Sequence, residues 1–308
     1  MRLLWYAKRR LIRVLLLGCL GIVLVLWIHR ERASVCLRMI DCEGKVFCLE
    51  MPRSDRDCLE HLFRKLVIGD NFGYTLLGNK PMSAGAYIVP FVSMRPRELY
   101  HSLLPDNLRR YWGWKTWEKY EHLFKGSPFA LWKEVSPFLD AARVILIVNK
   151  EKAKQLLAQQ QEDFRKVLQK EQVGLDDLLH ELPLLTKSLN NHEALIGMLL
   201  GYGRGNAWLF YNRQAGDFYD PLWDEKTSKK EAEKLSYFGK KNMASRLMYP
   251  SFIANPDSEE TQYLKEEYLA TWQTIIDYYQ DKDFLEATLS LLYVGHDEHC
   301  IVQRFDGS

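Results

Sequence analysis

The sequence predicts an α+β fold, predominantly helical with a small sheet, behind one N-terminal transmembrane helix. Three observations carry this: an eighteen-residue apolar stretch at 11–28, an unbroken apolar run at 143–148, and apolar residues at helical spacing in many segments between 55 and 293. The stretch LIRVLLLGCLGIVLVLWI follows a basic leader, residues 1–10, and is interrupted only by Arg13. As a helix it reaches about 27 Å, close to the thickness of a hydrocarbon core, and Arg13 is near enough to one end to snorkel. The lipid bilayer is therefore the first expected partner. Arg2, Lys8, Arg9, Arg10 and Arg13 on the amino side outweigh His29, Arg30 and Arg32 on the other, which predicts a cytoplasmic N-terminus and an extracytoplasmic body, residues 29–308. No A-x-A-like cleavage site follows Ile28. Leu16-Leu17-Gly18-Cys19 resembles the lipobox of bacterial lipoproteins, but the apolar run continues to Ile28, which favours an uncleaved anchor over lipidation at Cys19.

The body follows element by element. β-prone runs at 35–40 and 45–51 around Glu43-Gly44 predict a hairpin. Ser54 is placed to cap a helix in which Leu59, Leu62, Phe63, Leu66 and Val67 form the buried face, with Gly69 as its stop. The runs 72–77 and 86–92 flank the turn Gly78-Asn79-Lys80-Pro81 and read as strand, turn, strand. Helices are expected at 96–103 and 106–124, the second with Tyr111, Trp114 and Trp117 on a core face and Trp112 off it. The run 143–148 suits a strand covered on both faces, and Asn149 caps a polar helix reaching about Lys170. Further helices are expected at 175–181, 190–201, 207–213, 228–237, 258–279 and 284–293, and a strand at 248–253. The charged run 224–241 is the best candidate for a surface segment or boundary.

Charge and cysteine content narrow the function. Residues 1–32 hold seven of the 42 Lys and Arg and one of the 40 Asp and Glu, so the body carries 35 basic against 39 acidic side chains. A mildly acidic body without a basic stripe excludes nucleic acid as a partner. Cys36, Cys42, Cys48 and Cys58 crowd the start of the exported body, with Cys300 near its end. Their spacing is not that of a zinc site, and small thiols with one bridge is the simpler reading.

The segments FGYTLLGNKP and NNHEALIGMLLGYGRGNAWLF resemble stretches of membrane-anchored proteins of obligate intracellular bacteria, in which a YTLxGxKP element precedes a helix ending in LGYG and then NAxxF. The resemblance spans about thirty residues. It implies a bacterial inner membrane and a periplasmic body, and it brings no known activity.

No catalytic constellation emerges, no cofactor is implied, and no catalytic residue is assigned. Gly201-Tyr202-Gly203-Arg204-Gly205-Asn206 has the look of a phosphate loop but follows a helix, so it reads as a glycine-rich turn with Asn206 as N-cap, leaving a small-anion site at the next helix start as the functional alternative. His192-Glu193 lacks the second histidine of H-E-x-x-H, Ile196 standing in its place. His296, Asp297, Glu298, His299 and Cys300 form the one dense group of metal-ligating side chains, in a terminal segment where solvated polar sequence is the default. Cys58 sits near a helix start beside Arg56 with His61 one turn on, which would lower a thiol pKa, though a packed or bridged cysteine is the simpler reading. The expectation is a single-pass membrane protein whose extracytoplasmic body binds or scaffolds an unidentified protein or ligand without catalysis. The alternative is a type II membrane enzyme such as a glycosyltransferase, whose D-x-D motif has two candidates in Asp55-Arg56-Asp57 and Asp281-Lys282-Asp283.

Overall fold

The computed structural model describes residues 34–40, 44–90, 101–136, 139–180, 185–212, 247–252 and 254–293. Among them are eleven α-helices and two small sheets, so the α+β expectation holds with two sheets rather than one. The apolar stretch 11–28, Cys19, most of the helix expected at 96–103, the charged run 224–241 with the helix expected at 228–237, and residues 296–300 all lie outside the described residues. None of the described helices is long and apolar enough to cross a membrane.

The chain opens with the predicted hairpin, β1 (Ser34–Ile40) against β2 (Val46–Pro52), antiparallel and in register from Ser34 opposite Pro52 to Ile40 opposite Val46. Strand alternation turns Leu37, Met39 and Met51 into the core. Cys36 and Cys48 are disulfide-bonded across the two strands, with Cα atoms 5.4 Å apart. Helix α1 (Arg53–Arg64) then runs into a π-helical turn at Lys65–Gly69, and Leu59, Leu62, Phe63, Leu66 and Val67 are all buried as the spacing predicts. Each such side chain contributes about 1.5–3 kcal/mol by leaving water. Ser54 is not the cap: the helix starts two residues earlier than that cap implies, at Arg53 with Pro52 in the cap position.

Residues 72–77 are the clearest departure from expectation. They form a helix, α2 (Phe72–Leu77), not a strand, entered through Asn71 in the left-handed region. Phe72, Gly73, Tyr74, Thr75 and Leu76 are all buried, and a short run apolar on every side gives no period by which to tell helix from strand. The strand beyond the turn is β3 (Met82–Ile88), starting four residues earlier than expected.

Helix α3 (Pro105–Tyr120) buries Trp114 and Trp117, half-buries Tyr111 and leaves Trp112 exposed, as its aromatic spacing predicts. It crosses α1 at Gly113, where a β-carbon would lie 2.6 Å from Leu62 Cβ and 2.8 Å from the Cys58 carbonyl. A 3₁₀ turn (Glu121–Phe124) leads to β4 (Phe129–Val135), a strand the sequence reading missed, and then to β5 (Ala142–Asn149). The three strands make an antiparallel sheet in the order β3-β5-β4.

β5 is the partition of the molecule. Ile145 and Ile147 face a core shared with the hairpin, α1, α2, α3 and the two C-terminal helices, while Leu146 and Val148 face a second core built with the helices that follow. Those begin as α4 (Lys150–Gln159), capped by Asn149 Oδ1 accepting from Lys152 N at 3.1 Å, and α5 (Gln161–Leu168). The single helix expected there is thus two, broken at Gln160. Next come α6 (Leu175–His180), α7 (Leu185–Ser188), α8 (Glu193–Leu199) and α9 (Arg204–Tyr211). Residues 247–252 are irregular rather than the expected strand, joined to the first core by Met248 N donating to Ile68 O. Helix α10 (Glu259–Tyr279), capped by Ser258, and α11 (Phe284–Leu292), capped by Asp283, complete the first core.

Candidate functional site

Two segments singled out in the sequence, FGYTLLGNKP and NNHEALIGMLLGYGRGNAWLF, meet in space. The turn after α2 brings Asn79, Lys80 and Pro81 against the Gly201–Gly203 loop between α8 and α9, where a β-carbon on Gly201 would lie 3.1 Å from Lys80 Cγ and 2.6 Å from Tyr268 Oη. Tyr268 Oη donates to the Gly201 carbonyl at 2.5 Å, tying α10 to this loop. Between them, α4 and α10 enclose a cavity of about 340 Å³ walled by Lys152, Gln155, Gln159 and Glu267. Its lining is mixed, with Leu156, Met198 and Leu264 beside the polar side chains. Burial pushes the Glu267 carboxyl up, against the opposing pull of an Asn79 hydrogen bond and the Lys152 charge.

Lys80 is the unusual residue of the wall. It is 3% exposed, and its Nζ donates to Met82 O at 2.9 Å and to Ser83 Oγ at 3.1 Å. Burial alone brings its pKa down to about 7. A lysine near neutrality beside a serine has the ingredients of a nucleophile and base, yet here the roles run the other way. Lys80 donates to the hydroxyl, Ser83 donates onward to Asn71 O at 2.9 Å, and Ser83 is fully buried with Thr75 Oγ1 at 2.8 Å. The network fastens the turn to the α2 entrance, and the serine oxygen is out of reach of a substrate carbonyl.

The glycine-rich loop resolves differently from its sequence reading. Gly203, at φ +83°, is the N-cap of α9, and Asn206 lies within the first turn instead of capping it. The anion expected as an alternative at this helix start is supplied internally. Glu260 Oε1 accepts from Arg204 N at 2.7 Å and Gly205 N at 3.3 Å, and Oε2 accepts from Asn206 N at 3.2 Å. A β-carbon at Gly203 would sit 2.5 Å from Glu260 Cδ, so the glycine is needed both for its backbone angle and for the carboxylate's approach. The site is filled by the protein's own side chain. Arg204 clamps Asp163 with Nε at 2.5 Å and Nη2 at 3.0 Å, and Asn206 bridges Tyr202 O, Thr261 Oγ1 and Asn255 N.

The remaining candidates are structural. His192 is the N-cap residue of α8 and stacks on Tyr211 at 4.1 Å with Trp208 at its edge, and burial lowers its pKa. Cys58 is half-buried, and burial raises its thiol pKa, opposite to the lowering that its place near a helix start suggests. His61, one turn on, is itself held low by burial. Of the D-x-D pairs, Asp55 is buried and accepts from Tyr120 Oη at 2.9 Å and Lys119 Nζ at 3.1 Å. Asp283 caps α11 and pairs with Arg56 at 2.6 Å. Asp55 and Asp283 are thus spent on packing helices together. Among the described residues, no three His, Cys, Asp or Glu side chains converge on one point. No family model, curated protein or solved structure matches the chain.

Proposed function

We propose that this chain is a membrane-tethered binding protein, anchored by residues 11–28 with its N-terminus cytoplasmic, whose extracytoplasmic body holds a small polar ligand in the cleft beside Lys80. The resemblance noted above would make that membrane a bacterial inner membrane and the body periplasmic. The observation that carries the binding reading is the wall itself. Asn79, Gln155, Gln159, Lys152 and Glu267 line one cavity of about 340 Å³, where Asn79 bonds Glu267 and Gln155 donates to Glu151, and the adjoining backbone is fixed by the Tyr268 and Lys80 hydrogen bonds. A concave site with few convergent polar groups on rigid elements is how small molecules are held. The chemistry around it supports binding over turnover, since Ser83, the hydroxyl bonded to Lys80, is sealed and donates onward to Asn71 O. The Cys36–Cys48 bridge supports the exported placement of the body.

Two measurements test this. An export-dependent reporter fused after Ser308 is active, and a cytoplasm-active fusion in its place overturns the topology. Native mass spectrometry of the full chain in mild detergent shows an added small-molecule mass that the cleft-filling double variant Gln155→Trp/Gln159→Trp loses. A spectrum without added mass, or one unchanged by the double variant, sinks the binding reading.

A further inference from the structure

A second cavity, of about 500 Å³, opens where the 3₁₀ turn after α3 meets the start of β4 and the first residue of α4. It shares no lining residue with the cleft beside Lys80. Trp117, Phe124 and Phe129 give it an aromatic wall, all three buried, with the Trp117 and Phe124 rings 4.9 Å apart at 34°. Aromatic faces of this kind take a flat ring. Trp117 also keeps its buried indole N–H without a partner, so a residue of this wall holds a donor that the described fold does not use.

The charges of the lining are mostly basic. Lys125, Lys150 and His122 stand against Glu121, the one acidic residue among the described lining residues, and burial followed by the Glu118 charge pushes the Glu121 carboxyl up. Elsewhere nearby the fold pairs its cations: Lys115 and Lys133 both meet Glu118, and Lys119 meets Asp55. Lys150 is treated differently. Its Nζ donates to the carbonyl of Ser127, also in the lining, at 2.7 Å, and among the described residues it bonds no carboxylate.

The place of Lys150 makes that arrangement costly. The side chain is half-buried, and burial, then the Lys154 charge, push its pKa down against a smaller pull from Asp176 of α6. It is also the first residue of α4, at the positive end of the helix dipole, where an anion is favoured and a cation is not. A bound anion offsets all three costs at once.

We infer that this cavity is a second binding site, for an aromatic carboxylate whose flat ring lies against the Trp117 and Phe124 wall and whose carboxylate pairs with Lys150, with Lys125 at the rim. Ring and charge are both required. A bare anion leaves the aromatic wall uncovered, and a neutral ring leaves Lys150 without a counter-charge.

Isothermal titration of the full chain in non-ionic detergent tests this, with 2-naphthoate as the probe, 2-naphthalenemethanol as its neutral counterpart and chain-free detergent as the blank. Naphthoate should bind and the neutral compound at least about tenfold more weakly, and Lys150→Met should weaken naphthoate by a similar factor, the size of one lost charged hydrogen bond. Lys125 is exposed, so Lys125→Glu leaves the fold intact and should weaken naphthoate by about threefold, as for an ion pair in solvent. The double variant Gln155→Trp/Gln159→Trp, which fills the other cleft, should leave naphthoate binding unchanged. No heat from naphthoate, equal affinity for the two compounds, or a Kd unmoved by either lysine substitution overturns the inference. Loss of naphthoate binding in the glutamine double variant overturns it as well, by placing the probe in the cleft beside Lys80.

Discussion

Glu260 and Lys80 are two charges drawn toward the same loop, and the fold treats them in opposite ways. The Glu260 carboxylate meets three backbone N–H groups at the start of α9, where unpaired amides and the helix dipole both favour an anion. The Lys80 amine meets a carbonyl and a hydroxyl, with no carboxylate among its bonded partners. One site completes a charge and the other starves one. The difference teaches why the α9 helix start, which has the look of an anion site, is already filled, while the plain turn Asn79-Lys80-Pro81 edges an open cleft.

The largest test of that contrast is the pH dependence of stability. A lysine near pKa 7 in the folded chain and about 10.5 unfolded is protonated in the unfolded state over a window where the folded state leaves it neutral. The unfolded chain then binds more protons, so stability rises with pH from about 7 toward 10, at about 1.4 kcal/mol per unit, and the full penalty is present below pH 7. Burial also raises the phenols of Tyr87, Tyr120 and Tyr279, which pulls stability down at high pH, so the informative quantity is a difference between two chains. Denaturant unfolding of the wild type and Lys80→Met from pH 6 to 9.5 should give curves whose separation changes steeply with pH. Parallel curves would show that Lys80 carries its full charge when folded, and the contrast with Glu260 would fail.

On the other side of the comparison, Gly203→Ala should destabilise by about 3 kcal/mol. It places a β-carbon at φ +83°, ψ 160°, a region open essentially to glycine alone, and drives Glu260 from its seat. Glu260→Gln keeps the shape and removes the charge, so it should cost less, about 2 kcal/mol, by weakening charge-assisted bonds to the amides. A smaller loss from Gly203→Ala than from Glu260→Gln would mean that backbone strain is not what reserves the position for glycine.

The parts of this arrangement legible in the sequence were those encoded locally. Asn149 announces its helix because a cap acts on amides three residues away, and that bond is present. The 143–148 run announces a central strand because both of its faces are covered. FGYTLL was misread because burial on every side erases the period that separates helix from strand. β4 was missed because Lys133 and Glu134 interrupt its apolar pattern, Glu134 being buried to hold α7 through Thr186. The candidate site was legible only in pieces: the turn and the glycine loop each stood out, but their meeting across α10, and Glu260 as the occupant of the helix start, depend on contacts distant in sequence.

The smallest expected effect separates local capping from the distant contact. Ser258 Oγ accepts from Thr261 N at 3.2 Å and lies 2.8 Å from Thr261 Oγ1, which in turn bonds Asn206 in the first turn of α9. Ser258→Ala should therefore cost about 1 kcal/mol as a lost N-cap, and it should do so even in a Glu260→Gln background if the cap acts only on α10. If the cap also positions Glu260 at the α9 amides, the two losses overlap, and the double variant falls short of their sum by 0.5 kcal/mol or more, the size at which coupling exceeds ordinary additivity. Additive losses measured in the same denaturant series would confine Ser258 to its own helix. The Glu260 seat would then owe its geometry to the Gly203 backbone and to Asn206, which Thr261 and Asn255 hold in place without the serine.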